Sequence, residues 1–97
     1  MIKLKVVSKI AGVVYRDVVK SVKFTSQNGE LQVLPGHISM LSMVEEGKIV
    51  CELENDAVVN VDCSAGFFVI NQNECLITVD YAKLAGNNQL KKQAKVA

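Results

Sequence analysis

The chain has 97 residues, of which 49% are hydrophobic and 22% charged, with a formal net charge of +1. That length supports one modest core in a single domain, and the balance is ordinary for a soluble domain and far from that of a disordered one. Without a concentrated basic stripe there is no electrostatic case for a nucleic-acid partner.

At the N-terminus, Met1-Ile2-Lys3-Leu4-Lys5 interrupts every short apolar run with charge, so neither a signal peptide nor a spanning helix is expected and the protein reads as cytosolic-side. Ile2, Leu4 and Val6 alternate with Lys3 and Lys5, which predicts a first strand with one wet and one dry face. Val13, Val14 and Tyr15 suggest a short strand ending near Arg16-Asp17. A second long strand follows over 18–25, with Val22 and Phe24 opposite Ser21, Lys23 and Thr25. Gln27-Asn28-Gly29 supplies a hairpin turn, since Asn and Gly accept positive φ.

The stretch from Gly29 to His37 then compresses a strand and a tight turn around the only proline and the only histidine. Pro35-Gly36 suits a type II turn, in which Pro presets φ at the second position and Gly accepts positive φ at the third. Histidine is the side-chain type whose unperturbed charge change falls nearest neutral pH, which makes His37 a candidate functional residue. Four short strands are predicted downstream, over 48–53, 57–63, 66–70 and 74–79. They are joined as an antiparallel meander, with polar turns at Glu54-Asn55-Asp56 and Asn71-Gln72-Asn73. Phe67 and Phe68 fall on opposite phases of one strand, one entering the core and the other free to face a partner.

Cys51, Cys63 and Cys75 are odd in number and widely spaced, which fits neither a disulfide framework nor a zinc site. Each lies on the apolar phase of a predicted strand, so they are expected to be buried small hydrophobes and not nucleophiles. Residues 83–97 form a basic, helix-compatible tail carrying Lys83, Lys91, Lys92 and Lys95, too short to stand alone as a helix. The pattern as a whole predicts an all-β fold. It is a two-sheet antiparallel β-sandwich, or flattened barrel, over residues 1–82, followed by the short tail.

An ordered set of segments carries a family resemblance: Val22-Lys23-Phe24-Thr25, Gly29-Glu30-Leu31, Leu34-Pro35-Gly36-His37, Gly47, Ser64-Ala65-Gly66-Phe67 and Ile77-Thr78-Val79-Asp80. Together, over about residues 3 to 82, they resemble the N-terminal domain of the epsilon subunit of F-type ATP synthases. The resemblance implies a non-catalytic β-sandwich at the foot of the rotating central stalk, without cofactor or metal. Its implied partners are the gamma subunit and the c-subunit rotor ring, at the cytoplasmic face of a bacterial inner membrane or the matrix or stromal equivalent. It assigns ring contact to Asn28, Gly29, Glu30, Leu31 and Gln32, and turn and stalk contact to Pro35, Gly36 and His37. Met40, Met43, Val44 and Phe68 form a candidate gamma-facing patch, because a monomer rarely leaves such an apolar surface without a use.

The chain departs from the family pattern in having Ile38-Ser39-Met40-Leu41 after the histidine where Ala-Pro-Leu-Leu is common, and Ala65-Gly66 where paired glycines precede the aromatic. Many epsilon subunits also continue into an inhibitory C-terminal helical hairpin, and coupling without that brake is the expectation if these residues are the whole protein. Two other classes are weighed beside this one. A free-standing ligand-binding sandwich would want exposed aromatics, of which there are few and no Trp; an enzyme using His37 with Cys or Ser lacks a nucleophile elbow.

Overall fold

The computed structural model describes residues 1–36 and 39–85, so His37, Ile38 and the tail from Gly86 onward lie outside the described residues. Ten strands follow one another: β1 (Ile2–Ser8), β2 (Gly12–Val19), β3 (Ser21–Ser26), β4 (Gly29–Val33), β5 (Met40–Val44), β6 (Gly47–Glu52), β7 (Val58–Cys63), β8 (Gly66–Asn71), β9 (Glu74–Val79) and β10 (Ala82–Leu84). The all-β expectation therefore holds across the described residues.

Hydrogen bonding runs in the order β10-β7-β6-β3-β5-β8-β9-β1-β2, with β4 added on β3. This path folds into two layers. One holds β10, β7, β6, β3 and β4; the other holds β5, β8, β9, β1 and β2. The layers are stitched by a single β3–β5 register pair, Ser26 with Val44. At the far end β10 comes alongside β2, so the sandwich is a nearly closed, flattened barrel. All pairings are antiparallel but one: β1 runs parallel to β9, from Lys3 opposite Glu74 to Ser8 opposite Val79.

The core follows from alternation. Ile2, Leu4 and Val6 of β1 face inward with Cys75, Ile77 and Val79 of β9 and with Phe68 and Ile70 of β8. Opposite them, Val22, Phe24, Ile49, Cys51, Val59, Val61 and Cys63 fill the inner face of the other layer. Phe24 and Phe68 meet across the middle at a centroid distance of 4.8 Å and an interplanar angle of 64°. An edge-on pair of this kind adds about 0.5–1.5 kcal/mol beyond its area burial.

Three expectations are corrected. The strand break expected near Arg16-Asp17 falls at Lys20, because β2 stays paired with β1 through Ile2 opposite Val19. The meander divides into two hairpins, β6–β7 and β8–β9, which belong to different layers: the 64–65 connection crosses between them, so β7 and β8 are not partners. Residues 40–44 and 82–84 are strands that the alternation of residues does not predict.

Gly66 occupies a position where no side chain fits. A Cβ built there would collide with the Thr78 carbonyl oxygen and lie 2.8 Å from Val79 Cα, both on the β9 backbone. The second residue of the Ala65-Gly66 pair is thus sterically required, whereas Ala65 is exposed.

Candidate partner-binding surface

The two outer faces of the sandwich differ in chemistry. On the β6–β7 side, Lys48 lies opposite Asp62 and 3.9 Å from its carboxylate, and Val50 is paired with Asn60 and Lys23, a mixed and largely polar surface. On the β5–β8–β9 side the cross-strand register builds two apolar rows. Leu41, Val69 and Leu76 stand side by side and end at Lys5 and Arg16, while Met43 and Phe67 continue through Thr78 and Val7 to Val13. Leu41, Met43, Val13, Phe67, Val69 and Leu76 are exposed, from 39% at Leu76 to 69% at Leu41, while Val7 and Thr78 are partly buried. A shallow depression of about 710 Å³ adjoins the first row, floored by Val69 and Leu76 and rimmed by Lys3, Lys5, Arg16 and Glu74. Ile10 and Leu84 are also exposed, away from these two rows.

This face replaces the patch expected from sequence. Phe68 and Val44 are 0% and 1% exposed and belong to the core, so they cannot meet a partner in this fold. Met40 is half-buried and packs against that core, and Met43 alone of the four lies on the outer surface. Phase is the physical reason. In β5 the residues Met40, Ser42 and Val44 point inward while Leu41 and Met43 point out, and in β8 Phe67 takes the outward place expected for Phe68.

The β3–β4 hairpin carries the other candidate residues. Asn28, Gly29, Glu30 and Gln32 are exposed, and Leu31 is partly buried against the core. The turn is organised from beneath by Ser26, whose buried hydroxyl donates to the Gly29 carbonyl (2.8 Å) and accepts from the Asn28 N–H (3.3 Å). Gly29 has φ +112°, a value that L side chains rarely adopt.

At the other end of β4, Pro35 and Gly36 are exposed and Gly36 has φ +83°, the third-position value of a type II turn. The Gly36 N–H donates to Asn73 Oδ1 at 2.6 Å, and the Ser39 hydroxyl donates to Asn71 Oδ1 at 3.2 Å. His37 lies outside the described residues. The hairpin tip and the Pro35-Gly36 turn are therefore separated by the length of β4, roughly 20 Å of extended chain. They cannot form one compact site.

The cysteines are buried and free. Burial pushes the Cys51 thiol up to about 12, with smaller contributions from Cys75 and Asp17. Burial alone does the same for Cys75, and it also raises Cys63. Thiols held neutral and out of water are packing groups. Burial raises the Tyr15 phenol as well, with Cys51 and Asp17 adding to it; its hydroxyl donates to Asp17 at 3.2 Å. Among the described residues no group of three or more His, Cys, Asp or Glu gathers in a metal-holding arrangement. No helix there is long and apolar enough to cross a membrane.

Residues 1–85 match the model of the ATP synthase delta/epsilon chain, beta-sandwich domain. The chain belongs to that family. It is 32% identical over 82 residues to the ATP synthase epsilon chain of a Sulfurovum species, covering 84% of this chain and 63% of the relative. The epsilon chain of a Nitratiruptor species gives 32% over 81 residues, covering 84% and 62%. The chain thus spans less than two thirds of the length of these curated relatives. In fold it superposes on a chain of the Euglena gracilis mitochondrial ATP synthase OSCP/F1/c-ring structure with a TM-score of 0.79 at 20% identity, covering 98% of this chain and 62% of that one. A chain of the Tetrahymena thermophila central stalk/c-ring structure gives 0.66 at 13%, covering 84% and 64%. The fold is thus shared at low sequence identity.

Proposed function

We propose that this chain is a non-catalytic central-stalk subunit of an F-type ATP synthase, binding gamma and the rotor ring and coupling ion translocation to ATP synthesis. It would sit peripherally on the cytoplasmic side of a bacterial inner membrane, or the matrix or stromal equivalent. The observation that carries the reading is the contrast between the two outer faces of the sandwich: one mixed and polar, the other apolar through Leu41, Met43, Phe67, Val69 and Leu76. Such a band is a cost to a free monomer and an asset to a subunit. The assemblies containing its structural neighbours, a central stalk/c-ring and an OSCP/F1/c-ring, support the same placement.

In this reading gamma covers the apolar band, with Phe67 as its central anchor. The rotor ring meets the β3–β4 tip through Asn28, Gly29, Glu30 and Gln32, and the Pro35-Gly36 turn at the opposite end of β4 reaches the stalk. The separation of the two ends suits a subunit that bridges partners. Glu30 contributes charge complementarity at a rim, which acts more on association rate and register than on affinity. Titration of the chain with gamma from the same organism tests the reading. One-to-one binding that weakens at least about tenfold in Phe67→Ser, as expected for loss of a central aromatic anchor, supports it; a folded chain with no affinity for gamma refutes it. A free-standing ligand-binding role receives little support, since the 710 Å³ depression is an open part of the apolar face and no aromatic ring lines it.

A further inference from the structure

The β8–β9 turn contains an unexpected residue. Asn71 pairs with Glu74, so Gln72 and Asn73 form a two-residue loop, and both have positive φ (+50° and +63°), as in a type I′ turn. For the turn alone, Gly is the favoured residue at the second of these positions, and Asn is the side chain that tolerates it with least strain. Asn73 uses its side chain elsewhere. Its Oδ1 accepts the Gly36 N–H at 2.6 Å, while its backbone carbonyl accepts the Lys3 N–H at 2.9 Å, at the start of the parallel β1–β9 ladder. Two residues before it, Asn71 Oδ1 accepts the Ser39 hydroxyl at 3.2 Å. The described residues on both sides of positions 37 and 38 are therefore tied to the β8–β9 turn, Gly36 from the other layer and Ser39 from just before β5 in the same layer, across 37 and 32 positions of sequence.

We propose that Asn73, assisted by Asn71, is a positioning residue for the Pro35-Gly36 turn, holding it in a fixed orientation for the stalk contact. This rests on the proposed function above. A type II turn leaves the chain on each side free to swing, and a side-chain carbonyl bonded to the Gly36 N–H removes that freedom before a partner arrives. The ordering cost is then met in the free subunit, and affinity gains accordingly. The same hairpin carries Phe67, Val69 and Leu76 on its outer face, so the turn and the apolar band are fixed to one rigid element and present to a partner as a unit.

Two substitutions in the full chain separate this role from a structural one. Asn73→Gly keeps the positive φ and removes the acceptor; Asn73→Asp keeps both. In Asn73→Gly the melting temperature is expected to hold, the Gly36 amide to exchange with solvent at least about tenfold faster, and affinity for gamma to fall about fivefold, the scale of one lost hydrogen bond. Asn73→Asp restores both readouts to near the original values. Unchanged Gly36 exchange in Asn73→Gly overturns the proposal, as does accelerated exchange with undiminished affinity. A parent chain that does not bind gamma at all refutes the stalk reading and takes this proposal with it, an outcome distinct from the other two.

Discussion

Phe67 and Phe68 show how one position divides structure from contact. Phe68 meets Phe24 in the core and is fully buried, and Phe67 is 55% exposed beside Met43. Phe68→Ala should cost about 3–5 kcal/mol of folding stability through lost transfer energy and a cavity. Phe67→Ser should leave stability within about 0.5 kcal/mol and act on partner binding. Urea unfolding of both variants checks the contrast. Gly66→Ala should be nearly as severe as Phe68→Ala, at about 3 kcal/mol or more, because its Cβ meets β9 backbone and the β8–β9 pair must part to admit it. The same measurement decides it.

Individual elements were legible in the sequence to different degrees, and the reasons are physical. β1 was readable because Lys3 and Lys5 mark one phase unambiguously, and β9 because Cys75, Ile77 and Val79 keep a clean period of two. The span of β8 is readable but its facing is not, since Phe67, Phe68, Val69 and Ile70 are apolar on both phases and alternation cannot say which faces in. The sign lies in the pairing: Phe68 opposes Ile77, and Ile77 is in phase with the buried Cys75 and Val79. β5 is hidden because Met and Leu have no strong strand preference, so the inward phase of Val44 is not legible in sequence, as that of Phe68 in β8 is not. The β3–β4 hairpin and the Pro35-Gly36 turn were readable from turn chemistry alone. Their separation by the length of β4 was implicit in the strand between them. The partnership of Asn73 with Gly36 was not accessible, because nothing in one chain's residue order brings positions 36 and 73 together.

The cysteines allow a prediction at the element scale, since Cys51 of β6 and Cys75 of β9 belong to opposite layers. Both thiols have pKa values raised from the ordinary value to about 12 in the folded state, chiefly by burial. Between about pH 9 and 12 the unfolded chain gives up these protons and the folded one keeps them. Stability is therefore undiminished below about pH 9 and falls above it, by up to about 1.4 kcal/mol per pH unit for each thiol. Unfolding free energies measured across that range, for the parent and for Cys75→Ala, should differ in slope. At pH 8 the native protein should react with a thiol reagent only as fast as it opens.

At the scale of the molecule, the described residues form a nearly closed barrel with one largely polar and one apolar outer face and candidate contacts at both ends of β4. This arrangement suits a part held between partners better than one that acts alone. A single lost charge should matter less than a lost anchor in such a part. Glu30→Ala is expected to fold normally and to change gamma affinity by less than about twofold, its effect appearing only where the ring is present, as reduced coupling of ATP hydrolysis to ion pumping. Membership in the delta/epsilon family explains the fold across residues 1–85, while the distribution of apolar surface says how this chain would use it.

In the proposed function the β5–β8–β9 face seats gamma. The most direct test is calorimetric titration of gamma from the same organism into the parent chain and into a Phe67→Ser/Leu76→Ser double variant, with circular dichroism confirming that both are folded. One-to-one binding by the parent is expected, with loss of at least about a hundredfold in affinity for the double variant, the scale of two apolar anchors. Equal affinity of the two folded proteins would contradict it.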